Sequence, residues 1–295
     1  MKKSLVVIVF FFGIILAYAQ TETPKDTLKV WKQSGNISLL FNQSAFSNWV
    51  AGGQNNIAGN LGINYNFNYL KGNWTWDNRF TAAYGLSKIK GQGSQKTDDR
   101  LEFNSLLGKK TTSPWYHSAF LNFKTQLDSG FDKKTEMKTT HFFSPAYLQF
   151  GLGMLWKKCD NLKINIAPLA TKLTFVHNDF TNIGNVQADI DAFNTAGGYF
   201  GVNANQTNRF EFGATIGNYY KFTIMENVIM ENIFNVYVNY LEDSKNIDLD
   251  YTMNLVMKIN KTLSANIAFQ AIYDDNAYKG FQVREVLGIG INYGL

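Results

Sequence analysis

Ten charged residues share one strand parity in this chain: Asp77, Arg79, Arg100, Glu102, Lys124, Arg209, Glu211, Asp248, Asp250 and Arg284. Around each, the opposite parity is largely apolar or aromatic. Successive side chains of a strand point to opposite faces, so if these segments are staves of a closed wall, the charges meet inside it. Glu231 joins them, and with Asp77 and Arg79 it lies lower than the other eight, which are four positive and four negative. A mixed ring of this kind selects solutes weakly in a pore. The same residues fill a narrow barrel with ion pairs, since eight-stranded barrels are packed and sixteen-stranded ones are open. Both a narrow pore and a closed lumen fit the pattern.

Nucleophilic catalysis needs a hydroxyl or thiol within hydrogen-bond reach of a base. The three histidines are His117, His141 and His177. His117 has lipid-facing parity beside aromatic residues, His141 lies in a loop, and His177 ends a strand on the lipid-facing side it shares with Ser144. A hairpin folded about Cys159 brings His177 near His141 and leaves Ser144 roughly 10 Å along the strand, with no third group to orient a base. Asp98-Asp99 and Asp274-Asp275 sit at loop ends and offer calcium-type oxygens, but the spacing of a helix-loop-helix calcium site is missing. No cofactor-binding, metal-binding or catalytic set emerges.

The elements that position these residues are long alternating segments. From Ile57 to Tyr69 nearly every second residue is apolar or aromatic, and Asn60, Asn64, Asn66 and Asn68 fall between them. That is longer than a common soluble strand and suits a tilted membrane-crossing strand of about 9–11 residues plus its ends. Twelve such segments are predicted: 35–44, 56–69, 74–89, 98–109, 115–126, 142–156, 162–176, 209–224, 228–241, 248–259, 262–273 and 281–295. Pro168 predicts a bulge or bend, and Val186–Phe193 a helical turn inside the longest connection, 177–208. Connections after even strands are short and those after odd strands tend to be longer, the asymmetry of outer-membrane barrels. Trp74, Trp76, Trp115 and Trp156 all fall beside the short turns, where an aromatic girdle belongs. Soluble β-sandwiches also alternate, but their strands are shorter. Gly62, Gly85, Gly151, Gly153, Gly288 and Gly290 have inward parity, leaving room for larger side chains across the lumen.

The amino terminus reads as a cleavable signal peptide over residues 1–19: Lys2 and Lys3, an apolar run Leu5–Leu16, and Ala17-Tyr18-Ala19. Residues 20–34 form a short periplasmic segment and 35–295 the barrel. Without Lys2 and Lys3 the chain has 26 basic and 23 acidic residues, too mild an excess for nucleic acid. A mean hydropathy of −0.20 looks soluble, yet half of every barrel strand is polar and the average hides the lipid face. One cysteine, Cys159, excludes an internal disulfide framework. The bend around Trp49, Gly52 and Gly53 is either a partner-docking loop or a glycine-bearing hairpin turn.

Several blocks resemble an uncharacterised family of exported Bacteroidota proteins: Phe41–Gly53 (FNQSAFSNWVAGG), Lys71–Asn78 (KGNWTWDN), Lys96–Asn104 (KTDDRLEFN), Leu121–Gln126 (LNFKTQ), Ser144–Tyr147 (SPAY), Pro168–Thr174 (PLATKLT) and Arg284–Tyr293 (REVLGIGINY). The resemblance spans roughly Trp31 to Leu295 and implies an outer-membrane β-barrel of unknown function, with no catalytic residue to carry over. The final residue is Leu295 where such a barrel is expected to end in an aromatic. The fold class expected is therefore all-β, a transmembrane antiparallel barrel of about twelve strands in the outer membrane of a Gram-negative bacterium, termini periplasmic. Its expected role is a narrow, weakly selective pore or a structural barrel without catalytic activity. The alternatives are an accessory subunit of a larger outer-membrane assembly and a lipid-acting barrel enzyme. Its expected partners are outer-membrane lipid, the barrel-insertion machinery and an unidentified membrane protein.

Overall fold

A computed structural model describes residues 30–45, 54–91, 93–132, 135–242 and 247–295. Alternating apolar and polar residues commit most of this length to strand: β1 (Trp31–Ser44), β2 (Asn56–Lys71), β3 (Trp74–Ile89), β4 (Ser94–Lys110), β5 (Trp115–Thr125), β6 (Gly130–Phe131), β7 (Lys138–Thr140), β8 (Ala146–Cys159), β9 (Leu162–Phe175), β10 (Asn208–Met225), β11 (Val228–Asn239), β12 (Ile247–Lys258), β13 (Leu263–Asp274) and β14 (Tyr278–Gly294). β6 and β7 pair only with each other. The other twelve form one closed antiparallel meander in chain order, in which β14 returns to β1. Closure gives every strand two neighbours, which a sheet in hydrocarbon requires because no water is present to satisfy a free edge. The outward row is apolar and open, as in Phe281, Val283, Leu287, Ile289 and Ile291, each more than half exposed. This is a transmembrane β-barrel whose polar residues face a lumen.

The strands differ from the expected segments at their ends, for local reasons. β1 starts at Trp31, which adds a further tryptophan to the short-turn end, where its ring lies 5.2 Å from Tyr69 and 5.8 Å from Trp76. β4 starts at Ser94 because the β3–β4 hairpin continues past an extra residue, Thr97, between the pairs Gly85↔Asp98 and Leu86↔Lys96. β8 starts at Ala146, not at Phe142. There His141 and Ser144 exchange backbone hydrogen bonds across a tight turn, Phe143 takes a positive φ of 60°, and Pro145 has no N–H to give a ladder. The bulge expected at Pro168 is present: the β8 register shifts between Ile166 and Leu169, and the β10 register between Ala167 and Ala170.

Short turns sit at one end, including Gly72-Asn73 and Glu226-Asn227. Longer connections gather at the other, hereafter the loop end. The longest carries a 3-10 turn (Asn178–Phe180) and a helix α1 (Gln187–Thr195), which starts one residue later and ends two residues later than predicted. It folds on itself, with Phe180 stacked on Tyr199 at 4.5 Å and Val202 fully buried. The Tyr199 hydroxyl donates to the Thr139 carbonyl of β7 at 2.6 Å, and burial pushes its pKa up to about 12. The β1–β14 join is short. It runs from Asn36↔Gly294 to Phe41↔Ile289, whereas β1 pairs β2 from Trp31↔Tyr69 to Ser44↔Asn56.

Candidate functional site

The lumen holds the chemistry, and it is crossed by ion pairs at four heights. Nearest the short turns, Asp77 of β3 accepts from Lys157 of β8 at 3.0 Å and from Lys163 of β9 at 2.7 Å. Lys157 also donates to Thr75 Oγ1 at 2.9 Å. One turn higher, Arg79 of β3 reaches Glu231 of β11 at 2.5 Å. These two strands stand opposite each other in the ring of twelve, so the pair spans the full width of the lumen. Tyr219 donates to the same carboxylate at 2.8 Å and lies under the Arg79 guanidinium at 5.1 Å, while Asn66 accepts from Arg79 Nε at 3.0 Å. Both Glu231 oxygens are engaged, Oε2 accepting from Asn254 at 3.2 Å, and such added hydrogen bonds are the condition under which a buried ion pair holds.

The third level is shared by more strands. Lys124 of β5 pairs with Asp250 of β12, and Gln270 donates to Asp250 Oδ1 at 3.0 Å. Arg284 of β14 pairs with Asp98 of β4, which also accepts from Asn60 at 3.1 Å. Glu102 sits beside Lys124 in register, and the Arg100 Nε is buried without a hydrogen-bond partner. At the loop end, Lys172 of β9 serves Asp248 at 2.8 Å, Asp274 at 3.2 Å and Glu211 at 3.6 Å. Arg209 divides between Glu211 at 3.3 Å and Glu242 at 2.5 Å.

Thus Asp77, Arg79, Lys124, Arg209, Glu211, Asp248, Asp250 and Arg284 are drawn into bridges, and Arg100 and Glu102 lie among them. Sequence reasoning missed the partners Lys157, Lys163, Lys172, Asp98 and Asp274. The signal for two of them was present. Ile164 and Ile166 have one parity and Leu173 and Phe175 the other, so a bulge between them puts both Lys163 and Lys172 inside. Lys157 falls in the connection between the expected segments 142–156 and 162–176, which the structure shortens to Asp160-Asn161. The sequence places Asp98 and Asp274 at loop ends, but strand pairing continues through both.

The rim differs from the enzymatic reading. His141 and His177 do meet, with ring centroids 5.1 Å apart. Ser144, expected to face lipid some 10 Å away, is fully buried and its Oγ accepts from the His177 backbone N–H at 2.9 Å. The tight turn over His141–Ser144 curls it there instead of extending it along a strand. Its hydroxyl is engaged with backbone, and the His177 ring nitrogen accepts from the Asp179 N–H at 3.3 Å. Asp99 likewise is no free calcium ligand: it accepts from Lys96 at 2.6 Å and from the backbone N–H groups of Leu127 and Asp128 at 2.7 and 3.0 Å. The Tyr84 hydroxyl, 2.9 Å away, holds the Asp128 carboxyl below the usual carboxylate range, helped by the Ser129 N–H.

Trp74, Trp76 and Trp115 are exposed at the short-turn end, and Trp156, in register with Trp115, is partly covered there. Trp76 donates to Ser105 Oγ at 2.7 Å, and Ser105 in turn donates to Asn78 at 2.8 Å, which lets a polar Asn78 sit in the outward row. The bend bearing Trp49, Gly52 and Gly53 lies outside the described residues. Gly151 leaves space filled by Phe120, and Gly288 space filled by Leu40.

Residues 41–131 match a family described as a protein of unknown function (DUF3078). No curated protein matches the chain in sequence. Among solved structures, the chain is similar to the translocator domain of the autotransporter NalP from Neisseria meningitidis, at 8% identity, covering 99% of this chain and 97% of that one with a TM-score of 0.37. It is similar to an outer membrane channel from Pseudomonas putida F1 at 8% identity, over 93% and 99% of the two chains with a TM-score of 0.39. The outer membrane channel DcaP of Acinetobacter baumannii is similar at 8% identity, over 90% and 97%, with a TM-score of 0.29.

Proposed function

We propose that this chain is an integral outer-membrane barrel without catalytic activity, whose narrow lumen is braced by ion pairs and passes only small ions, with weak selectivity. The observation that carries the reading is the Arg79–Glu231 bridge, which ties opposite walls together at 2.5 Å. A twelve-stranded wall lies between the packed and open sizes, so side chains decide its bore. Positive and negative groups are interleaved at each height, which leaves little net field to favour one ion sign. Planar-bilayer recording tests this directly. The wild-type protein should carry far less current than a sixteen-stranded porin measured alongside it. Arg79→Ala with Glu231→Ala removes both partners, so no stranded charge confuses the result, and should raise the current at least threefold. A wild-type current matching the porin, or a double variant with unchanged current, refutes the braced-lumen reading.

The same reading puts the chain in the outer membrane of a Gram-negative bacterium, and the resemblance of its sequence blocks supports one of the Bacteroidota. The short turns and both termini would then face the periplasm, because short turns belong on that side. A tag after Gln206 should be labelled on intact cells and a tag after Asn73 should not. Labelling of the Asn73 tag alone would invert the barrel.

A further inference from the structure

We propose that Asp248, Asp274 and Asp275 hold a divalent cation of the calcium type at the loop end of the lumen, an inference independent of whether the barrel conducts. One carboxylate oxygen from each lies within 4.8 Å of the others. They come from the start of β12, the end of β13 and the residue that follows it, so a shared cation ties two strands and a turn. The surrounding charge does not balance without one. Lys172 alone is shared by Asp248, Asp274 and Glu211, and Arg209 is already divided between Glu211 and Glu242. Asp275 has no basic partner among the described residues.

A second observation is independent of that tally. Tyr237 is only 5% exposed, and its buried hydroxyl has no hydrogen-bond partner. It stands directly opposite Asp248 in register, with its ring 5.5 Å from the Lys172 ammonium, and therefore lines the same cluster. The Asp275 Oδ1 is likewise buried and partnerless. Buried polar atoms are nearly always satisfied in native proteins. A cation with its water shell supplies what both lack: positive charge for the carboxylate and a water for the phenol. The ligands are all carboxylate oxygens, which suits a hard cation such as calcium better than a soft metal.

Terbium is a suitable probe, because a nearby phenol such as Tyr237 sensitises its emission. The full chain, folded in detergent and checked by the heat-dependent gel shift of intact barrels, is titrated with terbium and then with calcium. Wild type should show saturable emission that calcium competes away. Asp275→Asn removes one ligand's negative charge and leaves both aspartate pairs of Lys172 in place, so it should weaken terbium binding at least tenfold. If that variant fails the gel-shift check, Asp275→Ser takes its place. No saturable, calcium-competed emission from wild type, or less than a tenfold loss in the folded variant, overturns the proposal.

Discussion

Asp77 carries more of the lumen than any other single side chain near the short turns. Two ammonium groups from different strands converge on it, and Lys157 and Lys163 are both largely buried. Removing one partner of a buried pair leaves uncompensated charge, and the cost then exceeds what the pair itself contributed. Asp77→Asn should therefore destabilise the folded barrel by about 3 kcal/mol, the low end for such breaks, because Lys157 keeps Asp160 at 3.3 Å. Urea unfolding in lipid vesicles measures it. A change within about 0.5 kcal/mol, the size of an ordinary surface substitution, would show that water in the lumen already solvates the two lysines. At this scale the sequence was informative about which way each charge points and silent about which charges meet. Parity is a local property of a strand. The bridge from Arg79 to Glu231 depends on the width and shear of the whole ring, and no spacing of two residues 152 positions apart records it.

Strand identity was legible because an alternating pattern cannot be shifted by one residue without turning every side chain inside out. Ile63 and Asn64 are neighbours that make the point in one place, for they pair with Ala82 and Thr81 on opposite faces of the same wall. Arginine at Ile63 should cost about 2–4 kcal/mol near the membrane midplane, and arginine at Asn64 far less. Folding yields of the two variants in vesicles decide it, and equal penalties would mean that the faces are misassigned. Strand ends were less legible, and the reasons are specific. Pairing ran on past an extra residue at Thr97, and β8 gave up four expected residues to the turn at His141–Ser144. Only Pro168 announced its irregularity in advance, because a missing N–H in a ladder is visible in the sequence.

For the molecule as a whole, an even number of long strands and unequal connections implied a ring whose first strand starts and last strand ends at the same end, and among the described residues the meander closes in that way. The join that completes it was not foreseeable in extent, since it depends on where the first and last strands come to lie. Beyond Phe41↔Ile289, no further pair of described residues links β1 to β14, and Val283, Glu285 and Leu287 line this stretch of β14 on the outward side, all exposed. Among the described residues this seam is therefore the shortest in the wall, far shorter than the one between β1 and β2, and each backbone pair matters there because a peptide group without a partner in hydrocarbon costs several kcal/mol. Twist, heat or sideways pressure from the bilayer would concentrate along this one crease, and the acidic Glu285 beside it would let water follow. Circumferential strength in this barrel is set by its shortest stitch, however firmly the bridges inside hold the opposite walls.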